Sequence, residues 1–574
     1  PGVGKTALVD ELRPMVTGRD GWFVSGKFDQ YRPDLEFDGV YQAFRALGRL
    51  LLAEPEDELT QVRDQILRAL GPNAGLLTAV VPEFAALLAV PPDAGDPLTA
   101  QARAQHVAAG VVRAVASPKR PVVMFVDDLQ WAGRTPLGFV DLVLSEEQID
   151  GLLLVGAYRE DDVDAAHPLT APLSRWRDQT AVRHLRLANL PVSGSVAMVS
   201  EMLHVDRAAA MGLVEVIGPY TSGNPYETVE LLGALCRGGV LTATAAGWRW
   251  DGAVVRAHVG RSEVAGLPVA QVEALPAPSR AVLEAMACLG GWAELNLLSA
   301  ATGEPAGVVE QTLAPALEEG LLVAEAGEYR AVRFRHDRIR EAILVGLDPG
   351  RRRALHLAMA QRLATVPELF ADAAEQYLPV VDSIDDAAER RVVVGLLRRA
   401  ADQAALIGDY ALMNALLAAA PQLIGADDAA TLIAVHTGLH AALYGLGRLE
   451  EADEEFRTIK GLCTTATERA GATAVQVRSL TYRSQFSEAI ALGIESLHAF
   501  GIAVPAAGRL PAELDRQFGH LYRWLDHTDM ADELARPDIT DPTLLASTHL
   551  LNAVLPACYV TDHAALAWLS LEAL

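Results

Sequence analysis

The stretch PGVGKT, residues 1–6, is typical of the end of a phosphate-binding loop. The full pattern is G-x-x-x-x-G-K-[S/T], and Gly4, Lys5 and Thr6 fill its last three places. Glycines allow the backbone of such a loop to wrap closely around phosphate groups while its N–H groups point at them. The leading glycine and the strand that feeds the loop are absent, so we expect this chain to be a piece of a longer protein.

A helix is predicted to follow the loop directly. Residues 7–16, ALVDELRPMV, are apolar at Leu8, Val9, Leu12 and Met15, the spacing of one helix face. We expect Lys5 to bind the β- and γ-phosphates and Thr6 to offer its hydroxyl to Mg²⁺. The remaining nucleotide contacts would come from the loop backbone, at Pro1, Gly2, Val3 and Gly4. The alternative is an ordinary helix start that happens to carry a lysine.

Length and composition indicate several domains of a mostly helical protein with an α/β part. The chain has 574 residues, 51% of them hydrophobic, 21% charged and 6% aromatic. Its formal charge of −26 repels polyanions, which disfavours nucleic acid as a partner. The four cysteines show no metal-binding spacing, and we expect buried thiols in a reducing cytoplasm. The longest apolar stretch, 75–90, is broken by Pro82 and Glu83, so we expect no membrane segment.

A second motif, of Walker B type, follows at 122–128. The apolar run VVMFV, typical of a parallel strand buried on both faces, ends in Asp127 and Asp128. Since carboxylates at the end of such a strand reach the metal beside the phosphates, Asp127 is predicted to hold Mg²⁺ and Asp128 to orient or deprotonate the attacking water. The alternative is a core strand that ends in a solvated Asp-Asp turn.

Further strands are predicted at 21–28 and 151–161, with a weaker one, VRHLRLANL, at 182–190. Arg159 follows the apolar run of the 151–161 segment and could stabilise charge on the γ-phosphate as a sensor. The alternative is a surface arginine that pairs with Glu160 or Asp161.

These motifs together resemble the STAND group of P-loop ATPases, which are signal-transduction relatives of the AAA+ enzymes. The marks of the resemblance are PGVGKT at 1–6, GKFDQYR at 26–32, FVDDLQWA at 125–132, GAYRED at 156–161 with HPL at 167–169, GNPY at 223–226 and FRHDRIREA at 334–342. The chain looks most like the ATPase region of bacterial multi-sensor kinases, and the resemblance covers almost all of it. It implies kinase, GAF or other output domains outside the fragment.

The resemblance also implies two further nucleotide contacts. Pro225 would lie on the adenine or ribose side, and His336 would touch the β-phosphate of ADP from a winged-helix domain. From the residues alone, Gly223 to Pro225 is simply a turn, and His336 could be a structural helix-start residue. Gly133 departs from the family, which usually has an acid at that place.

The middle of the chain has the order of a winged helix. A hairpin is predicted at 239–252 around a turn at Ala246 and Gly247. Three helices follow at 279–290, 294–303 and 308–322, and a strand pair at 321–336 closes the module.

Beyond residue 355 the chain is predicted to be amphipathic helix with a weak repeat. GDYALM at 408, GRLEEA at 447 and SQFSEA at 484 are 39 and 37 residues apart, which is typical of tetratricopeptide (TPR) helix pairs. Plain helical hairpins without superhelical stacking are the alternative.

The fold class expected is therefore an α/β P-loop core whose first strand is missing, a winged helix, and an all-α TPR-like array. The predicted domains are a P-loop core at 1–190, a helical lid and hairpin at 191–265, a winged helix at 266–350, TPR-like repeats at 351–500 and a helical linker at 501–574.

The function expected is that of a cytoplasmic ATPase switch that binds ATP or ADP with Mg²⁺, with a possible protein partner on the repeats. The alternatives are a non-hydrolysing scaffold with a structural nucleotide and a DNA-loading ATPase of origin-recognition type.

Overall fold

The computed structural model divides the chain into two compact units, residues 1–380 and 381–574. It describes residues 2–30, 38–93, 99–145, 149–244, 247–259, 267–325, 330–425, 428–506, 508–528 and 539–573. Pro1 and the turn residue Ala246, both named above, lie outside the described residues. The finer domain boundaries predicted from the sequence stay a prediction.

The first unit begins with a parallel three-stranded sheet in the order β1-β2-β3. Its strands are β1 (Trp22–Lys27), β2 (Val122–Asp127) and β3 (Leu152–Gly156). Every residue of the central strand β2 is buried, as its continuous apolar run predicts. Lys27 is in register with Asp127, so the carboxyl ends of β1 and β2 meet at one edge of the sheet.

The helices of the sheet region are α1 (Lys5–Asp10), α2 (Leu12–Thr17), α3 (Asp38–Leu52), α4 (Glu56–Leu70), α5 (Ala74–Val80), α6 (Pro82–Leu88), α7 (Ala100–Val115), α8 (Arg134–Ser145) and α9 (Thr170–Arg177). The single helix predicted over 7–16 is wrong, because a turn at Glu11 separates α1 from α2. Pro14 explains the break: it has no N–H to donate, and its ring clashes with the carbonyl four residues earlier, that of Asp10.

The strand predicted at 182–190 is also wrong. The segment is irregular, and its apolar side chains Leu185 and Leu187 are exposed. A strand requires a neighbouring strand to supply its hydrogen bonds, and among the described residues no strand lies beside this segment.

A small helical layer follows, with its own core. It contains α10 (Val192–Leu203), α11 (Arg207–Thr221), α12 (Pro225–Arg237), the antiparallel strands β4 (Thr242–Thr244) and β5 (Gly247–Arg249), α13 (Gly252–Val259) and α14 (Leu267–Ala274). Leu213, Leu235 and Val255 are fully buried at the centre of this layer. The two strands confirm the predicted hairpin.

The next segment, 277–346, is called the wing module below. Its elements are α15 (Ala277–Leu289), β6 (Trp292–Glu294), α16 (Leu295–Thr302), α17 (Ala306–Glu318), β7 (Leu322–Glu325), β8 (Ala331–Phe334) and α18 (Asp337–Gly346). The sheet is antiparallel in the order β6-β8-β7. The three helices and the strand pair occur where the sequence predicts them, and β6 is additional. Helices α19 (Pro349–Leu363) and α20 (Phe370–Tyr377) complete the unit.

The second unit is an array of helices. Its members are α21 (Ala387–Ile407), α22 (Tyr410–Ala419), α23 (Ala429–Gly445), α24 (Leu449–Leu462), α25 (Ala466–Tyr482), α26 (Phe486–His498), α27 (Leu510–His527), α28 (Pro542–Thr561) and α29 (His563–Glu572). The three predicted repeat positions, Gly408, Gly447 and Ser484, all have left-handed backbone, with φ of 70°, 74° and 60°. Each turns the chain between two consecutive helices, so the predicted TPR-like helix pairs are confirmed.

Helix α28 is the one helix among the described residues with the length and apolar composition to cross a membrane. Its most apolar window is 44% buried, and it packs against α25 and α26 through side chains such as Leu550 and Val554. Core helices of soluble proteins pass the same test, so this is weak evidence for a membrane span.

Candidate functional site

The predicted phosphate-binding loop leads into a helix whose first residues are Lys5 and Thr6. Gly4 precedes that helix with φ of 93°, a left-handed conformation that glycine adopts without a steric penalty. A side chain placed at Gly4 would meet no atom within 4 Å among the described residues, so the space in front of the loop is open. Lys5 has no ion-pair partner among the residues that the structure describes. The loop therefore presents an unpaired cation beside an open space.

The hydroxyl of Thr6 joins the loop to the end of strand β2. Thr6 Oγ1 donates to Asp127 Oδ2 at 2.9 Å, although the two residues are 121 positions apart. Asp127 Oδ1 accepts from the backbone N–H of Asp128 at 2.9 Å. Burial and the neighbouring charge of Asp128 raise the pKa of Asp127, against the lowering effect of Lys27 and of the Thr6 hydrogen bond. The sequence's two predicted Mg²⁺ ligands are thus in contact.

The Thr6 hydroxyl and the Asp127 carboxylate fit Mg²⁺ as ligands. This ion prefers hard oxygen ligands and commonly takes one or two from the protein and the rest from substrate phosphates and water. Burial and the neighbouring charge of Asp128 raise the pKa of Asp127, and a cation bound at this carboxylate would oppose that shift. Among the described residues no cluster of three or more His, Cys, Asp or Glu side chains could hold a metal ion by itself.

Asp128 lies directly after the strand in left-handed backbone, with φ of 56°, and its side chain is buried. Its Oδ1 accepts from Gln130 Nε2 at 2.9 Å and lies 3.3 Å from Arg159 Nε. Gln130 Oε1 in turn accepts from the backbone N–H of Arg159 at 3.1 Å. Left-handed backbone is uncommon for a residue other than glycine, and residues held that way concentrate at functional sites. Gln130 fixes both the carboxylate of Asp128 and the start of the Arg159 segment.

A carboxylate from the wing module enters the same site. Asp337, the first residue of α18, accepts from Lys27 Nζ at 2.6 and 2.7 Å and from Arg159 Nη2 at 3.1 Å. Lys27 Nζ is also 3.4 Å from Asp128 Oδ2. We call the contacts of Asp337 with Lys27 and Arg159 the Asp337 bridge. Among the described residues Arg159 does not pair with Glu160 or Asp161; besides Asp337 and Asp128, it lies 3.9 Å from the carboxylate of Asp162.

The charges of the bridge stabilise one another. Burial lowers the pKa of Lys27, but Asp337, Asp128 and Asp127 outweigh it and the net shift is upward. Burial raises the pKa of Asp337, but Lys27, His336 and Arg159 outweigh it and the net shift is downward. All three charged groups of the bridge therefore stay ionised at neutral pH, with two cations sharing one wing-module carboxylate.

The helix α12 lies on the other side of the loop. Pro225 is its first residue, Asn224 caps it, and the backbone N–H of Tyr226 donates to Gly2 O at 3.2 Å. A side chain at Gly2, where φ is 78°, would lie 2.8 Å from Asn224 Oδ1, so this close approach requires glycine. Val3 lies between the two constrained glycines. The GNPY turn and the loop are therefore packed together.

His336 stacks on Tyr226, with ring centroids 3.9 Å apart. Burial lowers the pKa of His336 to about 4; Asp337 acts in the opposite direction, and Lys27, Arg338 and Arg159 lower it further. The imidazole is therefore neutral at physiological pH, and its Nδ1 accepts from the backbone N–H of Arg338 at 3.3 Å. The buried hydroxyl of Tyr226 has no hydrogen-bond partner among the described residues, and burial raises its pKa. Tyr226, whose backbone contacts the loop at Gly2, thus carries an unsatisfied hydroxyl, and Lys5 at the end of the loop has no ion-pair partner among the described residues. Both observations fit a polar, anionic ligand.

Two more ionic contacts hold the wing module on the sheet region. Arg340 Nη1 donates to both carboxylate oxygens of Asp29 at 2.5 and 2.6 Å. Arg49 Nη2 donates to Glu294 Oε1 at 2.8 Å, while Arg49 Nε donates to the buried Glu83 at 3.1 Å. The wing module is thus fixed at three places, one of which is the site itself.

Sequence inspection missed Lys27, Gln130 and Asp337 as site residues. Each lies inside a stretch that carries the resemblance, GKFDQYR, FVDDLQWA and FRHDRIREA respectively. Lys27 and Asp337 meet across 310 positions of sequence, and a single sequence carries no local signal for such a contact. Gln130 contacts Asp128 two positions away, but its role depends also on Arg159, 29 positions further on.

The sheet with its loop, the Thr6–Asp127 contact and the acid at Asp128 define an α/β core of P-loop type. Residues 1–155 match the family described as AAA ATPase domain, which confirms the predicted AAA-type region.

Two kinds of relative are similar to the chain. It is 21% identical over 368 residues to Hybrid signal transduction histidine kinase G of Dictyostelium discoideum. The aligned residues cover 52% of this chain and 10% of that protein. The chain thus spans about a tenth of the length of that relative. Among solved structures it is similar to a STAND protein with a tetratricopeptide repeat sensor from Pyrococcus horikoshii, at 13% identity and a TM-score of 0.37, covering all of this chain and 80% of that one. A Thermotoga maritima RuvB variant has 16% identity and a TM-score of 0.19, over 42% of this chain and 82% of its own.

Proposed function

We propose that this chain is an ATP-binding and ATP-hydrolysing switch whose nucleotide state is coupled to the position of the wing module. The observation that carries the proposal is the 2.9 Å contact between Thr6 and Asp127, which brings the loop and the end of strand β2 to one place. The match of residues 1–155 to AAA ATPase domains supports it independently.

In this proposal the phosphates are held by Lys5 and by the loop residues Pro1, Gly2, Val3 and Gly4. Thr6 and Asp127 hold Mg²⁺, which when bound neutralises phosphate charge and orients the substrate. Pro225 contacts the adenine or ribose side, and His336 contacts the β-phosphate of ADP.

Asp128 orients or deprotonates the water that attacks the γ-phosphorus, and Arg159 stabilises the charge of the transferred group. Catalysis is by positioning and charge stabilisation, since phosphoryl transfer asks little covalent chemistry of the protein. In the arrangement described here Asp128 accepts from Gln130 and lies beside the cations of Lys27 and Arg159. Because these contacts occupy both carboxylate oxygens of Asp128, we interpret the arrangement as the resting state of the switch.

Coupling follows from the Asp337 bridge. A ligand changes a conformational equilibrium only by binding one state better than the other. Since α18 inserts a negative charge among the site cations, nucleotide charge at the same place bears directly on whether the wing module stays docked. The helical array would pass the change to output domains outside the chain, such as kinase or GAF domains, and offers a surface for a protein partner. The relative's name as a signal transduction histidine kinase supports a role in signal transduction.

The test is the Asp128→Asn variant, compared with the unmodified chain for ATP binding and for phosphate release. We expect binding to be retained and turnover to be lost. Absence of turnover in the unmodified chain under every condition would contradict hydrolysis and leave the scaffold with a structural nucleotide. Duplex DNA binding with a steep salt dependence would instead support the DNA-loading alternative, which the net charge of −26 disfavours.

A further inference from the structure

Each of the three parallel strands ends in, or is followed by, a charged residue at the same edge of the sheet. Strand β1 ends at Lys27, β2 ends at Asp127 and is followed by Asp128, and Arg159 follows β3. The central acid thus has a cation on each side: Lys27 Nζ lies 3.4 Å from Asp128 Oδ2, and Arg159 Nε lies 3.3 Å from Asp128 Oδ1. Asp128 therefore shares its charge between two cations.

A further carboxylate, that of Asp337, comes from the wing module. Asp337 contacts both cations at once, with Lys27 at 2.6 Å and Arg159 Nη2 at 3.1 Å. Asp337 lies 178 positions after Arg159 and belongs to α18 of the wing module. In the described part of the chain Lys27 has no other ionic partners than Asp337 and the two acids that follow β2. Without Asp337, neither Lys27 nor Arg159 would have a carboxylate at the position that the two cations share.

The place that Asp337 fills is therefore an anion site built by the sheet itself. It has two donors of different geometry, a planar guanidinium and a compact ammonium, which together suit an oxyanion with several oxygens. It also adjoins the catalytic acid. The Lys27 side chain keeps 44% of its surface exposed, so the site can be reached from solvent.

We propose that Lys27 is a binding residue for the terminal phosphate of a nucleoside triphosphate, and that this phosphate and the Asp337 carboxylate compete for Lys27 and Arg159. The inference deepens the proposed function and rests on it. A nucleoside diphosphate lacks the competing group and leaves the Asp337 bridge in place. A triphosphate displaces Asp337 and releases the first turn of α18, so the wing module distinguishes the two nucleotides by a single charge.

Lys27 has two tasks in this account, and substituting it alone would mix them. Lys27→Met removes a phosphate contact, which weakens triphosphate binding, but it also weakens the Asp337 bridge, which favours opening. The Asp337→Asn background separates the two tasks, because the carboxylate is already gone and only the phosphate contact remains to be lost.

The experiment measures the affinity of the full chain for ADP and for a non-hydrolysable ATP analogue, both with Mg²⁺, by calorimetry. It compares Asp337→Asn alone with Asp337→Asn/Lys27→Met. We expect the second substitution to weaken binding of the ATP analogue about tenfold or more and to leave ADP binding unchanged, since a charge-assisted hydrogen bond to phosphate is lost only with the triphosphate. Lys27→Arg in the same background should restore most of the analogue affinity.

Lys119→Met in the Asp337→Asn background is the matched control, because Lys119 is an exposed lysine in the turn before β2. It should change neither affinity. Lys27→Gln replaces Lys27→Met if circular dichroism shows that the Met variant is unfolded.

The proposal is overturned if Lys27→Met leaves the affinities for ADP and for the ATP analogue unchanged in the Asp337→Asn background. Lys27 would then serve only to bind Asp337. An equal loss for ADP and the analogue would also overturn it, because the contact would not belong to the terminal phosphate. Failure of the unmodified chain to bind either nucleotide would instead contradict the proposed function.

Discussion

Removing the charge of Asp337 should release the wing module from the site. Asp337→Asn keeps the size of the side chain but loses the ion pairs with Lys27 and Arg159. Because the Lys27 and Asp337 side chains are 44% and 35% exposed, their pair contributes no more than about 1 kcal/mol. Arg159 is only 20% exposed, and its charge-assisted hydrogen bond contributes about 1.5–2 kcal/mol.

Together these contacts stabilise the docked wing module by about 2–3 kcal/mol, which corresponds to roughly a 30- to 150-fold change in the opening equilibrium. If nucleotide leaves only from the open arrangement, the release of ADP should accelerate by up to that factor. The assay is stopped-flow displacement of a fluorescent ADP analogue by unlabelled ADP.

Asp162→Asn is the matched control. Asp162 also faces Arg159, at 3.9 Å, and its side chain is 36% exposed, but it belongs to the sheet region and does not bridge to the wing module. Its variant should release ADP at the rate of the unmodified chain. The reasoning is refuted if Asp337→Asn and Asp162→Asn release ADP equally fast.

Three other predictions follow from single contacts. Gln130→Met should lower kcat about tenfold to a hundredfold with little change in ATP affinity, because Asp128 loses the hydrogen-bond donor that fixes its carboxylate. Steady-state kinetics measures this. Gln376→Met, at another buried glutamine, should leave kcat unchanged. The free energy of unfolding should fall by up to about 3 kcal/mol as the pH drops from about 6.5 toward 4, because the unfolded chain protonates His336 at its ordinary pKa while the folded chain holds that pKa at about 4. Urea denaturation at several pH values measures this, and the free energy of unfolding of His336→Gln should depend less steeply on pH. The same pH dependence in both chains would contradict the prediction. Gly493→Ala should lower the free energy of unfolding by about 1–3 kcal/mol, since the new Cβ would lie 2.0 Å from Val554 Cγ2 on α28. Gly395→Ala on α21, where the space is open, should not destabilise the protein. Urea denaturation that ranks the two variants the other way would contradict this packing.

Much of the fold could be predicted because its signals are local. The apolar run before Asp127 and Asp128 could only be a buried parallel strand, and the turn residues at 408, 447 and 484 mark helix pairs by their backbone requirement. The two errors concern features that depend on a neighbour: whether residues 182–190 become a strand depends on pairing, and the break at Glu11 depends on a proline three positions later.

The site was predicted less completely for the same reason. Loop and Walker B residues carry recognisable spacing, and the structure brings Thr6 and Asp127 together. Lys27 and Asp337 have meaning only as a pair, and nothing in the residues around either one indicates that the other lies 2.6 Å away. Such long-range ionic contacts are set by how modules pack, not by local sequence pattern.

The central claim is that the loop at Lys5 and Thr6 and the acid Asp127 form one nucleotide site. The most direct measurement is calorimetric titration of ATP into the full chain, with and without Mg²⁺, for the unmodified chain, Lys5→Ala and the surface control Lys460→Ala. We predict one ATP per chain, tighter binding with Mg²⁺, loss of binding in Lys5→Ala and no change in Lys460→Ala. ATP binding that is equally tight in Lys5→Ala, or that is absent from the unmodified chain, would contradict the account.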